Sequence, residues 1–303
     1  MEQFLSAVFA GTASGSIYAL VALGLVLVWR GAGVINFAQM GQAMFSTYVA
    51  STLIMHEYSY WFAFFVALIV GTTLGAIVDL LVMRPLSGKR GSAMLASPAM
   101  RATVPVIASL GILGILQSAA GMIWAAEERG FPAPVSTLGL SIGGTVMPFT
   151  AFDLFVIGIV LVTLFITTVF FQKTGMGLAM RASALNPEVA RLSGIRTSSV
   201  RTLSWAISGA ASSLAGLLVT PSANLSPNSL DLILIIGFTA TVIGGLDSLP
   251  GGVLGGFILG LLISFVNVYR SPSDIFLAIL IFLLIVLLVR PQGLLGSKEV
   301  RRV

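Results

Sequence analysis

Apolar residues run along this chain in long blocks separated by short polar connections. Blocks near the roughly 20 residues that cross a hydrocarbon core cover Phe4–Val28, Trp61–Met83, Thr103–Ala125, Phe152–Phe171, Val200–Val219, Gly251–Tyr269 and Ile275–Val289. Two further segments are less regular. Val34–Ile54 is long enough but carries Asn36, Gln39 and Gln42 in its first half. Leu232–Ile243 covers about half a bilayer before Gly244-Gly245. No two-residue alternation of the strand type is apparent. The pattern predicts an all-α polytopic membrane protein of eight to nine transmembrane helices, with short or broken segments among them. Glu2 is the only charge before Arg30 and no cleavage pattern follows, so the first block reads as a retained span.

Composition narrows the class. Of 303 residues, 57% are hydrophobic and 9% charged, with mean hydropathy +1.03. Soluble domains run nearer 45–50% apolar and about 25% charged, so a soluble enzyme or a nucleic-acid reader is excluded. The net charge of +5 reads as topology. With the N-terminus outside and nine crossings, Arg30, Arg84, Lys89, Arg90, Arg101, Lys173, Arg181, Arg191, Arg196, Arg201, Arg290, Lys298, Arg301 and Arg302 all fall on the cytoplasmic side. Only Arg129 and Arg270 are left outside. Glu2, Glu57, Glu127, Glu128, Asp153, Asp231 and Asp274 lie on the outer side, and the C-terminus is cytoplasmic. Residues 1–303 then form a single transmembrane domain, with a cytoplasmic loop at 172–199 and a Gly- and Pro-rich outer connection at 126–151.

Candidate chemistry is sparse. There is no Cys, and His56 is the single histidine, so no metal centre, cofactor site or disulfide framework is predicted. Gly11 and Gly15, Gly71 and Gly75, and Gly252, Gly256 and Gly260 form small faces at four-residue spacing, which let helix backbones approach closely. Packing inside the chain is the plain reading; a subunit contact on the Gly252–Gly260 stripe is the sharper one.

Asn186-Pro187-Glu188 reads as an N-cap, a proline in the first turn and an early acid, and Gly194 as a stop. Val189, Ala190, Arg191 and Leu192 fill the helix between them, a segment too short to persist in water without a surface to pack on. A docking element for a soluble partner is the functional reading; a loop helix resting on its own chain is the alternative. Asn36, Gln39 and Gln42 offer uncharged amides at membrane depth, to line a route or to glue helices. Gly244-Gly245 breaks a short apolar segment, as transport sites in membrane folds do. Asp79 is the one acid inside a clear span, about one turn from Arg84, its expected partner in a structural pair. No phosphate-binding loop occurs: Gly88-Lys89-Arg90 lacks both the first glycine and the hydroxyl residue.

Four blocks carry a family resemblance. Ser14-Gly15-Ser16-Ile17-Tyr18-Ala19-Leu20-Val21-Ala22-Leu23-Gly24-Leu25 with Gly33-Val34-Ile35-Asn36-Phe37-Ala38 is similar to the first spans of branched-chain amino acid ABC transporter permeases, the LivH-type subunits among them. Gly177–Ala182 running on to Ala190 and Gly194-Ile195, then Ile243–Gly251, then Arg290–Gly296 agree in the family's order and cover nearly the whole chain. The resemblance implies a multi-pass permease of a bacterial or archaeal plasma membrane. Its partners would be a homologous second permease, two cytoplasmic ATP-binding subunits and an extracytoplasmic solute-binding protein. The Asn186–Gly194 helix would be the coupling helix, and the chain itself would not be an enzyme. Where family members often carry a His or a small polar pair after Asn-Phe-Ala, this chain has Gln39-Met40, which leaves urea, short amides or another small polar solute as alternatives to branched-chain amino acids. Two other classes compete. An intramembrane serine protease would use Ser14 with His56 as base, and a secondary carrier would rely on Asp79.

Overall fold

The computed structural model describes residues 2–87, 97–125, 127–142 and 145–296. Lys89, Arg90, Lys298, Arg301 and Arg302, part of the basis for the expected orientation, lie outside the described residues. The helices are α1 (Glu2–Ala32), α2 (Gln39–Met55), α3 (Tyr60–Val78), α4 (Arg84–Ser87), α5 (Pro98–Trp124), α6 (Ala151–Lys173), α7 (Gly175–Leu185), α8 (Pro187–Leu192), α9 (Thr197–Ala223), α10 (Asp231–Gly244), α11 (Leu249–Tyr269) and α12 (Ile275–Val289). A π-helical turn, Asp79–Met83, continues α3 into α4.

Among the described residues, seven helical stretches are long and apolar enough to cross a membrane. They contain α1, α3, α5, α6, α9, α11 and α12. The two segments marked irregular by sequence fall short. Gly33 takes φ +68 and residues 33–38 leave the helical path, so α2 keeps 17 residues; α10 has 14. At about 1.5 Å per residue these span roughly 25 and 21 Å. One strand feature escaped the sequence reading: β1 (Gly139–Ile142) and β2 (Thr145–Thr150) pair antiparallel, with Ile142 opposite Thr145. In the sequence the dipeptide Gly143-Gly144 lies between them, a type that favours such pairing.

The fold divides into two compact units, residues 1–26, 132–165 and 235–303 in one, 27–131 and 166–234 in the other. In the first, the Gly11/Gly15 face of α1 meets the Gly256/Gly260 stripe of α11. A Cβ on Gly260 would lie 2.3 Å from the Cα of Gly15, and one on Gly256 would lie 2.3 Å from the backbone N of Ala19. The stripe is therefore occupied by the chain's own first helix, and the subunit-contact reading of it gives way to internal packing. Ala22, Ile236, Ala240, Ile243, Leu259, Ile279 and Val286 form the core beside it.

In the second unit α3 and α9 run antiparallel with their backbones nearly touching. A Cβ on Gly209 would lie 2.1 Å from the carbonyl oxygen of Gly71, and one on Gly75 would lie 2.2 Å from that of Trp205. The Ser213 hydroxyl donates to the Ala67 carbonyl at 2.8 Å. α2 packs on both helices, with Gly216 of α9 against Ala43 and Thr47. Without a hydrophobic drive between helices in lipid, small residues and interhelical hydrogen bonds supply the association.

Candidate functional site

Three places hold the residues singled out by sequence. The first is the entrance to α2. Phe37 N–H donates to the Ser109 hydroxyl at 3.2 Å, tying the 33–38 linker to α5, and Gly41 lies against Leu113. Asn36, Gln39 and Gln42 are all fully buried. Neither amide atom of Asn36, nor of Gln42, finds a hydrogen-bond partner in the protein, and nor does the Tyr48 hydroxyl one to two turns further along α2. An unmade hydrogen bond on a buried group costs about 1–3 kcal/mol, so this region keeps polar capacity that helix packing does not use.

The second place is the Gly244-Gly245 break, which belongs to the other unit. Gly245 takes φ +110, a conformation open to glycine and strained for other residues. The chain turns there into Ser248, whose hydroxyl caps α11 by accepting from Gly251 N–H at 3.0 Å. Gly244 sits against the Gly251 backbone and Gly245 against Gly296. The segment after α12 returns to this joint: Leu294 N–H donates to the Ile243 carbonyl at 2.8 Å and Leu295 N–H to that of Gly244 at 3.0 Å. Carbonyls left over at the end of a short helix are thereby satisfied.

The third place is the loop after α6. Thr174 caps α7 by accepting from Gly177 N–H at 3.0 Å. Asn186 caps α8: its Oδ1 accepts from Glu188 N–H at 3.0 Å and Val189 N–H at 3.1 Å. Pro187 opens the helix and Gly194, at φ +85, ends it, with Ile195 N–H returning to the Ala190 carbonyl at 3.0 Å. Ala190 is 3% exposed and seats the helix on its own chain, whereas Val189 is 55% and Leu192 84% exposed. Leu185, just before the cap, is 88% exposed and joins them. Sequence reasoning missed it, because an apolar residue before an N-cap ordinarily folds back on the fourth helical residue. Arg191 and Arg196 are exposed beside this apolar patch.

Asp79 is fully buried, and its partner is across the bundle rather than one turn away. Arg201 Nε of α9 lies 2.8 Å from its Oδ1, and the Thr202 hydroxyl donates to its Oδ2 at 2.5 Å. Arg84, the partner expected from spacing, donates instead to the Thr202 hydroxyl at 3.1 Å and to the Ser198 carbonyl at 3.2 Å. The π turn, in which Arg84 N–H returns to the Asp79 carbonyl, keeps the two residues on one face, where both reach the same Thr202 hydroxyl of α9. His56 is exposed in the turn after α2.

Residues 7–288 match the family described as the permease component of the branched-chain amino acid transport system. The high-affinity branched-chain amino acid transport system permease protein LivH of Salmonella typhimurium is 29% identical, covering 99% of this chain and 98% of that protein. BraD of Pseudomonas aeruginosa, a permease protein of the same description, is 29% identical with the same coverage. The probable branched-chain amino acid transport permease protein LivH of Methanocaldococcus jannaschii is 30% identical over 93% of this chain and 89% of its own length. No solved structure matches the chain.

Proposed function

The chain belongs to the family of branched-chain amino acid transport permeases, and from that premise we propose how it works. It is a transport permease subunit of an amino-acid importer and not an enzyme; ATP hydrolysis belongs to separate partner subunits. Its multi-pass helical fold fits that role. The solute we assign is a branched-chain amino acid or a close analogue, taken into the cytoplasm across a bacterial or archaeal plasma membrane. Relatives from both kinds of cell support the location.

The assembly comprises this chain, a second homologous permease, two ATP-binding subunits and an extracytoplasmic solute-binding protein. The chain crosses nine times, counting α2 and α10, with the N-terminus outside and the C-terminus in the cytoplasm. Residues 1–303 act as one permease domain and the 172–199 loop as its coupling loop. The observation that carries the reading is the α8 turn. A helix of six residues, capped at both ends, presents Val189 and Leu192 outward beside Leu185, the last residue of α7, on the side where the basic residues put the cytoplasm. Exposed apolar side chains grouped in this way mark a protein contact. They would enter a cleft of the ATPase, with Arg191 and Arg196 pairing acids at its rim and Asn186, Pro187, Glu188 and Gly194 holding the shape.

The translocation route would border Asn36, Gln39 and Gln42, whose buried amides suit a zwitterionic or amide solute. In the other unit, Gly244 and Gly245 would supply a backbone break of the kind found at transport sites. Uptake of labelled leucine into proteoliposomes holding the assembled transporter tests the assignment. Competition by isoleucine and valine, with none by urea or acetamide, is the expected result. Competition by urea or acetamide alone would move the assignment to the small-amide permeases.

A further inference from the structure

Resting on the reading of α8 as the coupling helix, we propose that Asp79, Arg201 and Thr202 form a strut that passes the movement of α8 into α3, as positioning residues for transport. Only Ile195 and Arg196 separate the Gly194 stop from the first residue of α9, Thr197. A displacement of α8 therefore reaches α9 with little slack. Arg201 and Thr202 lie in the second turn of α9, and they hold Asp79 by the 2.8 Å ion pair and the 2.5 Å hydrogen bond. Arg84 closes the ring from beyond the π turn, on the Thr202 hydroxyl and the Ser198 carbonyl. One acid, two arginines and a hydroxyl thus clamp both ends of Asp79–Met83 to the start of α9.

Stability alone is a poor account of this cluster. Taking a carboxylate and a guanidinium out of water largely cancels their attraction, and apolar replacements of buried pairs are often as stable or more so. What a buried pair does supply is position. The segment it grips is a π turn, a local register change that recurs at functional sites. Above the clamp, α3 and α9 meet backbone to backbone at Gly71, Gly75 and Gly209. The two helices then move as one body carrying α2, with Gln42 in its first turn and Asn36 in the linker before it. The clamp would decide whether that body follows α8 or lags behind it.

The test uses the assembled transporter in proteoliposomes, reading ATP hydrolysed per solute imported. Asp79→Asn keeps shape and the hydroxyl contact but removes the charge; Thr202→Val removes the hydroxyl and keeps the ion pair; Thr202→Ser restores it. For Asp79→Asn and Thr202→Val we expect ATPase subunits bound and hydrolysis within about twofold of wild type, with solute imported per ATP lowered about tenfold and threefold, the scale of lost network coupling. Thr202→Ser should return to the wild-type ratio. An unchanged ratio in both variants, or a parallel fall of hydrolysis and uptake that Thr202→Ser does not reverse, overturns the strut. If Asp79→Asn fails to assemble, the Thr202 pair decides alone. Failure of the wild-type chain to hold ATPase subunits would instead overturn the coupling-helix reading, and the strut with it.

Discussion

Leu192 and Ala190 stand two residues apart on one short helix and should respond to the same substitution in opposite ways. Leu192 is exposed, so Leu192→Asp places its carboxylate in water in the free chain and adds no folding cost there. Against an apolar cleft the same carboxylate costs several kcal/mol. Co-purification of ATPase subunits should collapse for Leu192→Asp and for Leu185→Asp, with unchanged thermal unfolding of the permease alone. Ala190→Asp should lower the unfolding temperature itself. Wild-type uptake by Leu192→Asp would leave α8 as a plain solvated loop.

The buried amides invite a second comparison at this scale. Because Asn36 and Gln42 spend no amide hydrogen bond on the protein, replacing either by Leu removes an unmet polar group and should leave the unfolding temperature level or raised. Uptake should nevertheless fall, by about tenfold if one solute hydrogen bond to a site built for it is lost. Loss of stability without loss of uptake would make these residues helix glue.

At the scale of elements, glycine divides into two kinds. A Cβ at Gly209 collides with the Gly71 carbonyl, whereas one at Gly111 on α5 meets nothing within 4 Å. Gly209→Ala should destabilise by about 1–3 kcal/mol through overpacking, and Gly111→Ala should stabilise by about 0.5–1 kcal/mol through helix propensity. Equal unfolding temperatures for the two would contradict the backbone contact of α3 and α9. Asn186→Ala, which takes the cap from α8, should cost about 1 kcal/mol of local helix stability. Amide exchange at Val189 and Ala190 is the measurement.

Much of this was legible in the chain itself. The seven long spans follow from run length, and α8 from its cap, proline and terminal glycine, because each is set by neighbours in sequence. Pairings across the bundle were not legible. Asp79 reads as a partner of Arg84, whereas Arg201, 122 residues further along the chain, takes its carboxylate, and the outward turn of Leu185 contradicts the local rule for its position. The β1–β2 hairpin was missed although Gly143-Gly144 signals it, since its strands are short beside the spans.

For the whole molecule, orientation in the membrane sorts every residue role. The absence of cysteine makes it directly measurable. Tyr58→Cys, in the exposed turn after α2, should react with an impermeant maleimide added to intact cells. Glu188→Cys should react only after the membrane is opened. Labelling of position 188 from outside would invert the topology and remove α8 from any cytoplasmic ATPase.

The return of Leu294 and Leu295 to the end of α10 also imposes an order on biogenesis. α10 is a short helix of 14 residues whose last carbonyls accept from backbone amides that leave the ribosome only after α11 and α12 have been made. Lipid offers those carbonyls no donor. Until the later residues emerge, the end of α10 has to wait where water or the insertion machinery can serve it. This short helix is then among the last parts of the chain to settle, and a nascent chain cut after Val289 would leave it unfinished.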